Sequence, residues 1–169
     1  NCGFGGCYYN RPADRTDNFN EISARMGLVT NFEEINYFAQ ISLGFRPPQI
    51  NEAYRLQKKQ NVTDLNSETL TMLEVGSRYE WDSIMGSISV YKSKKKNSIF
   101  RDAENFIVDN GKTNHKGIEL SLDWIANANN TFSTNITYGD HKYDFETDTS
   151  MREKIRIGNQ IDTAPKLMA

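Results

Sequence analysis

Few side chains in this sequence of 169 residues have the types and spacing of a reactive site. The two histidines are His115 and His141, and the second belongs to an acidic segment that also holds Asp140, Asp144, Glu146 and Asp148. Carboxylates crowded in this way are typical ligands of a divalent cation. Their spacing matches no known cation-binding loop, so a solvated acidic loop is the favoured interpretation. No Ser/His/Asp or Cys/His set can be argued, and we predict no catalytic residue, no bound metal and no cofactor.

The two cysteines, Cys2 and Cys7, lie close together near the beginning of the chain. Two thiols alone cannot complete a four-ligand zinc site. A redox motif of the thioredoxin type is disfavoured because the spacing differs and no βαβ pattern follows. The sequence favours a disulfide that closes a small loop in an oxidising compartment.

The elements that must position these residues are β-strands, because apolar residues recur at every second position. From Ile35 to Phe45, one face is apolar and the other is polar, with Phe38 as the one large apolar exception. The same alternation predicts strands over 22–28, 35–45, 70–81, 84 through 100, 118–124 and 132–138, with a seventh that begins near Lys166. The predicted fold is therefore an all-β, antiparallel sheet.

Short and long connectors alternate between these strands. The short links are 31–34, 82–83 and 126–130; the long links are 46–69, 101–112 and 140–163. Short turns at one end and long loops at the other are typical of an outer-membrane β-barrel. A soluble β-sandwich has no reason to separate them in this way.

Aromatic side chains gather near the short-turn end of the strands, at Tyr37, Tyr79, Trp81, Trp124 and Phe132. Rings in this position match the girdle of a barrel at the membrane–water interface. The alternative is the aromatic core of a soluble sandwich. The clustering at one end favours the girdle.

Charged residues divide between two settings. The polar strand faces carry Glu74, Arg78, Glu80, Glu119 and Asp123. They must face an aqueous lumen, because a strong charge toward lipid costs about 2–4 kcal/mol. A second group, 92–96, is rich in lysine and lies where the strand from Ile84 runs past the thickness of a bilayer. These lysines either meet anionic lipid headgroups or form a solvated charge run.

Composition limits the possible partners. The 20 Lys and Arg residues against 22 Asp and Glu residues leave no basic excess for nucleic acid. No run reaches the roughly 18 apolar residues of a spanning helix, and mean hydropathy is −0.68. A barrel strand needs an apolar residue only at every second position. The chain has no signal peptide and ends as a strand begins, so we interpret residues 1–169 as part of a larger domain.

Several short motifs resemble those of one family of outer-membrane proteins. The segment Gly44-Phe45-Arg46-Pro47-Pro48 is similar to the Phe-Arg-Ala-Pro motif that precedes an extracellular loop in that family, with Pro47–Pro48 in place of Ala-Pro. Further matches follow in order at 52–57, 65–69, 74–76, 110–120 and 164–166. The likeness covers residues 21–169 and is to the C-terminal barrel of TonB-dependent receptors.

The resemblance implies a barrel of about 22 antiparallel strands around an N-terminal plug. It implies active import of a scarce nutrient, above all an iron–siderophore complex, powered through the inner-membrane TonB–ExbB–ExbD complex. The plug, the TonB box and the final strands would lie outside residues 1–169, which would form an open, curved sheet of six or seven strands. The expected location is the bacterial outer membrane, with lipid against the apolar face.

Five residues in and after the Phe-Arg motif are candidates for contact with an anionic ferric chelate: Arg46, Gln49, Tyr54, Arg55 and Gln57. Arg and Tyr suit such a cargo through charge-assisted hydrogen bonds and ring contacts. Pairing with a carboxylate is the favoured role of Arg46, and packing within the loop is an equal alternative for Tyr54. The loop 46–69 has no histidine, which disfavours haem uptake through an iron-ligating histidine there.

Two other functions fit the same strand pattern. A passive porin has similar strands without a plug, and a soluble all-β adhesin or binding module has similar alternation. A plug domain upstream of the strands would distinguish the importer from the porin. Recovery of the full-length protein in the soluble fraction after membrane flotation would exclude both barrels.

Overall fold

The computed structural model describes residues 9–10, 13–60, 64–148 and 154–168. The predicted disulfide between Cys2 and Cys7 lies outside these residues. Within them, no helix has the length and apolar character needed to cross a membrane.

The described residues form one short helix and a series of antiparallel strands. In chain order they are β1 (Tyr9–Asn10), β2 (Ala24–Phe32), β3 (Ile35–Arg46), α1 (Ile50–Tyr54), β4 (Leu56–Gln57), β5 (Glu68–Trp81), β6 (Ile84–Arg101), β7 (Ile107–Asn127), β8 (Asn130–Tyr143), β9 (Thr147–Asp148), β10 (Lys154–Ile155) and β11 (Leu167–Met168). Seven of them form one open sheet in the order β11-β8-β7-β6-β5-β3-β2. Two small pairs, β1 with β4 and β9 with β10, lie apart from it.

The two faces of the large sheet differ in polarity, as the alternation predicts. Register places Ile41 between Met26 and Leu73 on one face, and Gln40 between Gly27 and Glu74 on the other. Most of the apolar face is uncovered: Leu28 is 77% exposed and Trp81 67%. Among the described residues, Leu56 and Ile107 are the only buried large apolar side chains. A sheet with no apolar core and one bare apolar face needs an apolar solvent, and lipid supplies one.

The predicted girdle aromatics lie at the short-turn end of this apolar face. Trp124 of β7 and Phe132 of β8 are directly opposite each other, and their ring centroids are 5.5 Å apart in a stacked arrangement. Trp81 pairs with Ile84 across the two-residue turn between β5 and β6. These rings therefore occupy the level at which a barrel strand leaves the membrane.

Phe38, the apolar exception on the polar face, has a structural reason. Its ring covers Gly76, the residue directly opposite on β5. The guanidinium carbon of Arg78 lies 5.0 Å from the centroid of the same ring, a cation–π contact. An aromatic side chain laid over a cross-strand glycine protects backbone that would otherwise be bare.

The long connector predicted over 101–112 is wrong. β6 continues to Arg101 and β7 begins at Ile107, so the turn between them covers only 102–106. Asp102 closes this turn by accepting hydrogen bonds from the backbone N–H groups of Glu104 and Phe106. Both strands have risen beyond the apolar band here, and the loop after β3 packs against β7 through the buried Gln60, so residues 107–113 pair as strand without the alternation that the prediction required.

Other strand bounds also extend beyond the apolar pattern. The strand predicted over 118–124 spans Ile107–Asn127, and the one over 132–138 spans Asn130–Tyr143. The strand predicted over 22–28 begins and ends later, at Ala24–Phe32. Where polar residues occupy both faces, hydrogen bonding to a neighbouring strand and not apolar periodicity decides the length.

Candidate functional site

The candidate site begins where β3 ends. Pro47 and Pro48 have no backbone N–H to continue the ladder beyond Arg46, so the chain leaves the sheet there. Helix α1 follows at once, and the Glu52 carboxylate accepts a hydrogen bond of 2.7 Å from the Gln49 backbone N–H at its start. This contact satisfies one of the free donors at the helix N-terminus.

Arg46 is the centre of an ion-pair network that fixes α1 to the sheet. Its Nε donates to Glu68 Oε2 at 2.7 Å, and its Nη1 and Nη2 donate to the two oxygens of Glu52 at 3.0 and 3.2 Å. Glu68 lies directly opposite on β5, and Lys95 Nζ of β6 is 3.0 Å from it. The network thus joins three strands and the helix.

The carboxylate of Glu68 is held in its charged form. The residue is 6% exposed, and that burial alone would raise its pKa. Hydrogen bonds from Arg46, from the Ile99 backbone N–H and from Lys95 outweigh the burial and lower the pKa of Glu68 to about 2. The same bonds, from Glu68 and then Glu52, raise the pKa of Arg46. All of these groups stand at the top of the strands, beyond the apolar band.

Tyr54 and its neighbours tie the loop to an earlier segment. The Tyr54 hydroxyl donates to Asp17 Oδ2 at 2.6 Å, and Asp17 is also paired with Arg15. Arg15 reaches Asp64 at 3.2 Å on the far side of the loop. A cleft of about 190 Å³ opens beside this group, and its lining includes Arg15, Asp17 and Asp64 rather than any of the five candidate residues.

The other two candidates lie farther along the loop. Arg55 follows α1 directly and is exposed. Gln57 belongs to β4, where it is opposite Tyr9 of β1. The structure therefore brings Arg46 and Gln49 together through Glu52, and places Tyr54, Arg55 and Gln57 in the following stretch.

Two anchors of the loop were not predicted. Gln60 is buried and exchanges two hydrogen bonds with the backbone of Ile107 at the start of β7, at 2.9 and 3.1 Å. Asn66 donates twice to Asp109 of the same strand, at 2.6 and 2.8 Å. Both partners are more than 40 residues away in sequence, so no local signal marks them.

The acidic segment 140–148, which begins within β8, pairs two of its carboxylates with lysines. Asp140 is 3.0 Å from Lys142 Nζ and Asp144 is 3.1 Å from Lys94 Nζ, while His141 lies on the opposite face against His115. In the part of the chain that the structure describes, no three His, Cys, Asp or Glu residues are grouped to hold a metal ion. Alternation along the strand has separated the carboxylates from the imidazole.

A scan against protein-family models matches residues 5–169 to the TonB dependent receptor-like, beta-barrel family. The chain belongs to the TonB-dependent receptor family. A search of curated protein sequences found no match. The resemblance stated from the motifs is thereby confirmed, and so is location in the bacterial outer membrane.

Solved structures of similar fold agree with the family. The sheet is similar to the ferric yersiniabactin uptake receptor FyuA from Yersinia pestis, with a TM-score of 0.63 and 15% identity over 85% of this chain and 21% of that one. It is also similar to the siderophore receptor PiuA from Acinetobacter baumannii, with a TM-score of 0.65 and 15% identity over 86% of this chain and 22% of that one. The chain spans about a fifth of the length of either receptor.

Membership of the TonB-dependent receptor family determines which end of the sheet lies in the periplasm and which lies outside the cell. Short turns of such barrels lie on the periplasmic side and long loops outside the cell. Arg46, Glu68 and α1 are therefore at the extracellular mouth, with Arg46 on the lumen face. The described parts of the loop are held there by ion pairs on the wall and by Gln60 and Asn66 at β7.

The pKa of Glu68 predicts how the receptor loop responds to acid. A carboxyl whose folded pKa is about 2, against an ordinary value of 4.5, stabilises the folded loop fully above pH 4.5 and loses that effect as pH falls toward 2. We expect amide hydrogen exchange in α1 to be independent of Glu68 ionisation from pH 5 to 7. It should accelerate below about pH 4, after correction for intrinsic exchange rates. A loss of protection already at pH 6 would contradict this assignment.

Proposed function

We propose that this chain is part of a receptor that binds an anionic ferric chelate of the siderophore type at its extracellular mouth and imports it. The energy would come from the TonB–ExbB–ExbD complex through a plug and TonB box carried elsewhere in the protein. The observation that supports this most is helix α1 directly after β3, which is held to the wall by Arg46 through its bonds to Glu68 and Glu52. A gated importer needs such a preformed recognition surface more than an open pore does.

The chemistry of the loop suits an anionic, oxygen-rich cargo. Arg55 is exposed just beyond α1, where its guanidinium can donate to carboxylate or catecholate oxygens. Gln49 and Gln57 add neutral donors, and Tyr54 adds a ring beside them. Arg46 supports this surface by positioning α1, through its bonds to Glu68 and Glu52.

Growth and uptake under iron starvation test the proposal directly. A strain that lacks the gene should grow more slowly on the ferric chelate and should take up less radiolabelled iron than its parent. Restoring the gene should restore both. Unchanged growth and uptake would contradict an iron cargo and would leave cobalamin, a sugar or a peptide as candidates.

Substitution of Arg55 by glutamine is expected to weaken cargo binding by roughly ten- to a hundredfold, since a charge-assisted hydrogen bond contributes about 1.5–3 kcal/mol. The measurement is equilibrium binding of the ferric chelate to the purified full-length receptor. Lys59→Gln is the matched control, because it removes one exposed positive charge from the same loop. Equal losses in the two variants would indicate general electrostatic attraction and not contact by Arg55.

A further inference from the structure

The outward face of β6, β7 and β8 carries a dense group of lysines above the apolar band. The lysine patch consists of Lys92, Lys94 and Lys96 on β6, Lys112 and Lys116 on β7, and Lys142 on β8. Each follows the alternation of the apolar residues below it: Lys92 comes two positions after Val90, and Lys116 two positions before Ile118. All six side chains are exposed.

Strand geometry puts this patch at the upper edge of the membrane. With a rise of about 3.3 Å per residue and a tilt of about 45°, an apolar band of about 25 Å is crossed in roughly eleven residues. Counted from Ile84 at the periplasmic turn, Lys92 lies just below that level, Lys94 at it and Lys96 above it. A lysine just below the edge can extend its ammonium upward to the headgroups.

The register makes the charge density unfavourable unless an anion is present. Lys92 lies directly opposite Lys116, and Lys96 directly opposite Lys112. Like charges in directly opposed positions destabilise a sheet. Such pairs persist at low cost where a shared counterion lies between them.

The protein's own carboxylates neutralise only part of the patch. Asp140 holds Lys142 at 3.0 Å and Lys116 at 3.6 Å, and Asp144 holds Lys94 at 3.1 Å. Within the described residues, Lys92 and Lys96 form no ion pair. Six lysines against two carboxylates leave an excess of four positive charges.

The patch is local and is not a belt around the whole sheet. At the same height on the neighbouring strand, the residues opposite Lys92, Lys94 and Lys96 are Leu73, Thr71 and Thr69. A depression of about 440 Å³ lies within the patch, and its lining includes Lys92, Lys94, Lys116 and Lys142 together with Asp140 and Asp144. This is room enough for a phosphorylated headgroup.

We propose that the lysine patch is a binding site for the phosphate groups of anionic lipid in the outer leaflet around the barrel. The lysines at the membrane edge hold the phosphates as point charges, and the apolar band directly below, which includes Val90 and Ile118, receives the acyl chains. The site needs only the outer-membrane location of the barrel and is independent of the cargo. Failure of the cargo proposal therefore leaves it untouched.

The test measures which lipids the full-length receptor retains. The receptor is placed in nanodiscs that contain equal amounts of phosphatidylglycerol and phosphatidylcholine, and the lipids that remain bound after its release are identified by native mass spectrometry. The wild type should retain phosphatidylglycerol in excess, and added salt should reduce that excess. The triple variant Lys92→Gln/Lys96→Gln/Lys112→Gln should lose it by roughly tenfold or more. The control variant Lys58→Gln/Lys59→Gln/Lys154→Gln removes the same charge from elsewhere and should behave as wild type.

Several results would overturn the proposal. One is equal retention of the two lipids by the wild type, and another is an unchanged excess in the triple variant. Displacement of the retained phosphatidylglycerol by millimolar inorganic phosphate would mean that the patch is a site for free anions. The heat-dependent gel shift of a folded barrel checks that the triple variant has folded. If it has not, Lys92→Gln alone should reduce the excess of retained phosphatidylglycerol severalfold. No reduction in that single variant would count against the site.

Discussion

Glu68→Gln is expected to accelerate hydrogen exchange in helix α1 by roughly 30- to 150-fold, which corresponds to a loss of about 2–3 kcal/mol in the free energy of local opening. The substitution keeps the shape of the side chain but removes the charge that Arg46 and Lys95 share. Both cations then lie at the barrel wall without their common partner. We place the loss below that of a fully buried pair because Arg46 is partly exposed to water.

The acid response gives an internal check on this result. Protonation and Glu68→Gln remove the same negative charge, so the variant should no longer show the acceleration of exchange below about pH 4. The control is Asp148→Asn, which breaks the exposed ion pair with Arg156 and should change stability by less than about 0.5 kcal/mol. If Glu68→Gln left exchange in α1 unchanged, the network would not be what holds the helix.

Gly76→Val should lower the stability of the folded barrel by about 1–3 kcal/mol, because the site has no space for a side chain. A Cβ atom at this position would lie 2.5 Å from the carbonyl oxygen of Ile88 and 2.6 Å from the ring of Phe38. The ring can move only by giving up its contact with Arg78. A shift in the denaturant midpoint of the full-length receptor in lipid vesicles measures the effect.

Gly44→Val is the matched control for this substitution. Gly44 also lies on the polar face of the sheet, on β3, but an added Cβ would meet no atom within 4 Å. The gain in strand propensity from valine should then leave stability unchanged or slightly higher. Similar losses for the two variants would indicate that the lumen rejects valine in general and that the Phe38 ring is not the cause.

Much of the fold could be predicted because lipid and water impose alternation on a strand. The segment 35–45 was predicted within one residue of β3, and the two-residue turn at Asp82–Ser83 was predicted where it lies. These parts are within the membrane, where one face must be apolar and the other polar. The prediction failed from Ile107 to Thr113, where β7 stands beyond the apolar band and its sequence has no period to detect.

The candidate site could be predicted only in part. The Phe-Arg motif and the two prolines mark the exit of β3, and alternation puts Arg46 on the lumen face. The partners of the loop could not be predicted, because Gln60 bonds to Ile107 and Tyr54 bonds to Asp17 across large distances in sequence. Such contacts depend on the relative placement of strands of unequal length. Local sequence patterns do not predict that placement.

That inequality of length has a consequence at the cell surface. In the register of the sheet, Arg46 at the end of β3 lies level with residues 111–112 of β7. Because β7 continues to Ile107, the turn at 102–106 stands roughly 10 Å higher than the end of β3. Within this sheet, the rim therefore rises from β3 to β7. An antibody or another bulky particle that approaches from outside meets this crest first and is kept at a distance, whereas a small solute can pass beneath it to the mouth. On this side of the barrel, the longer strands would thus limit the approach of bulky particles before any chemical recognition begins.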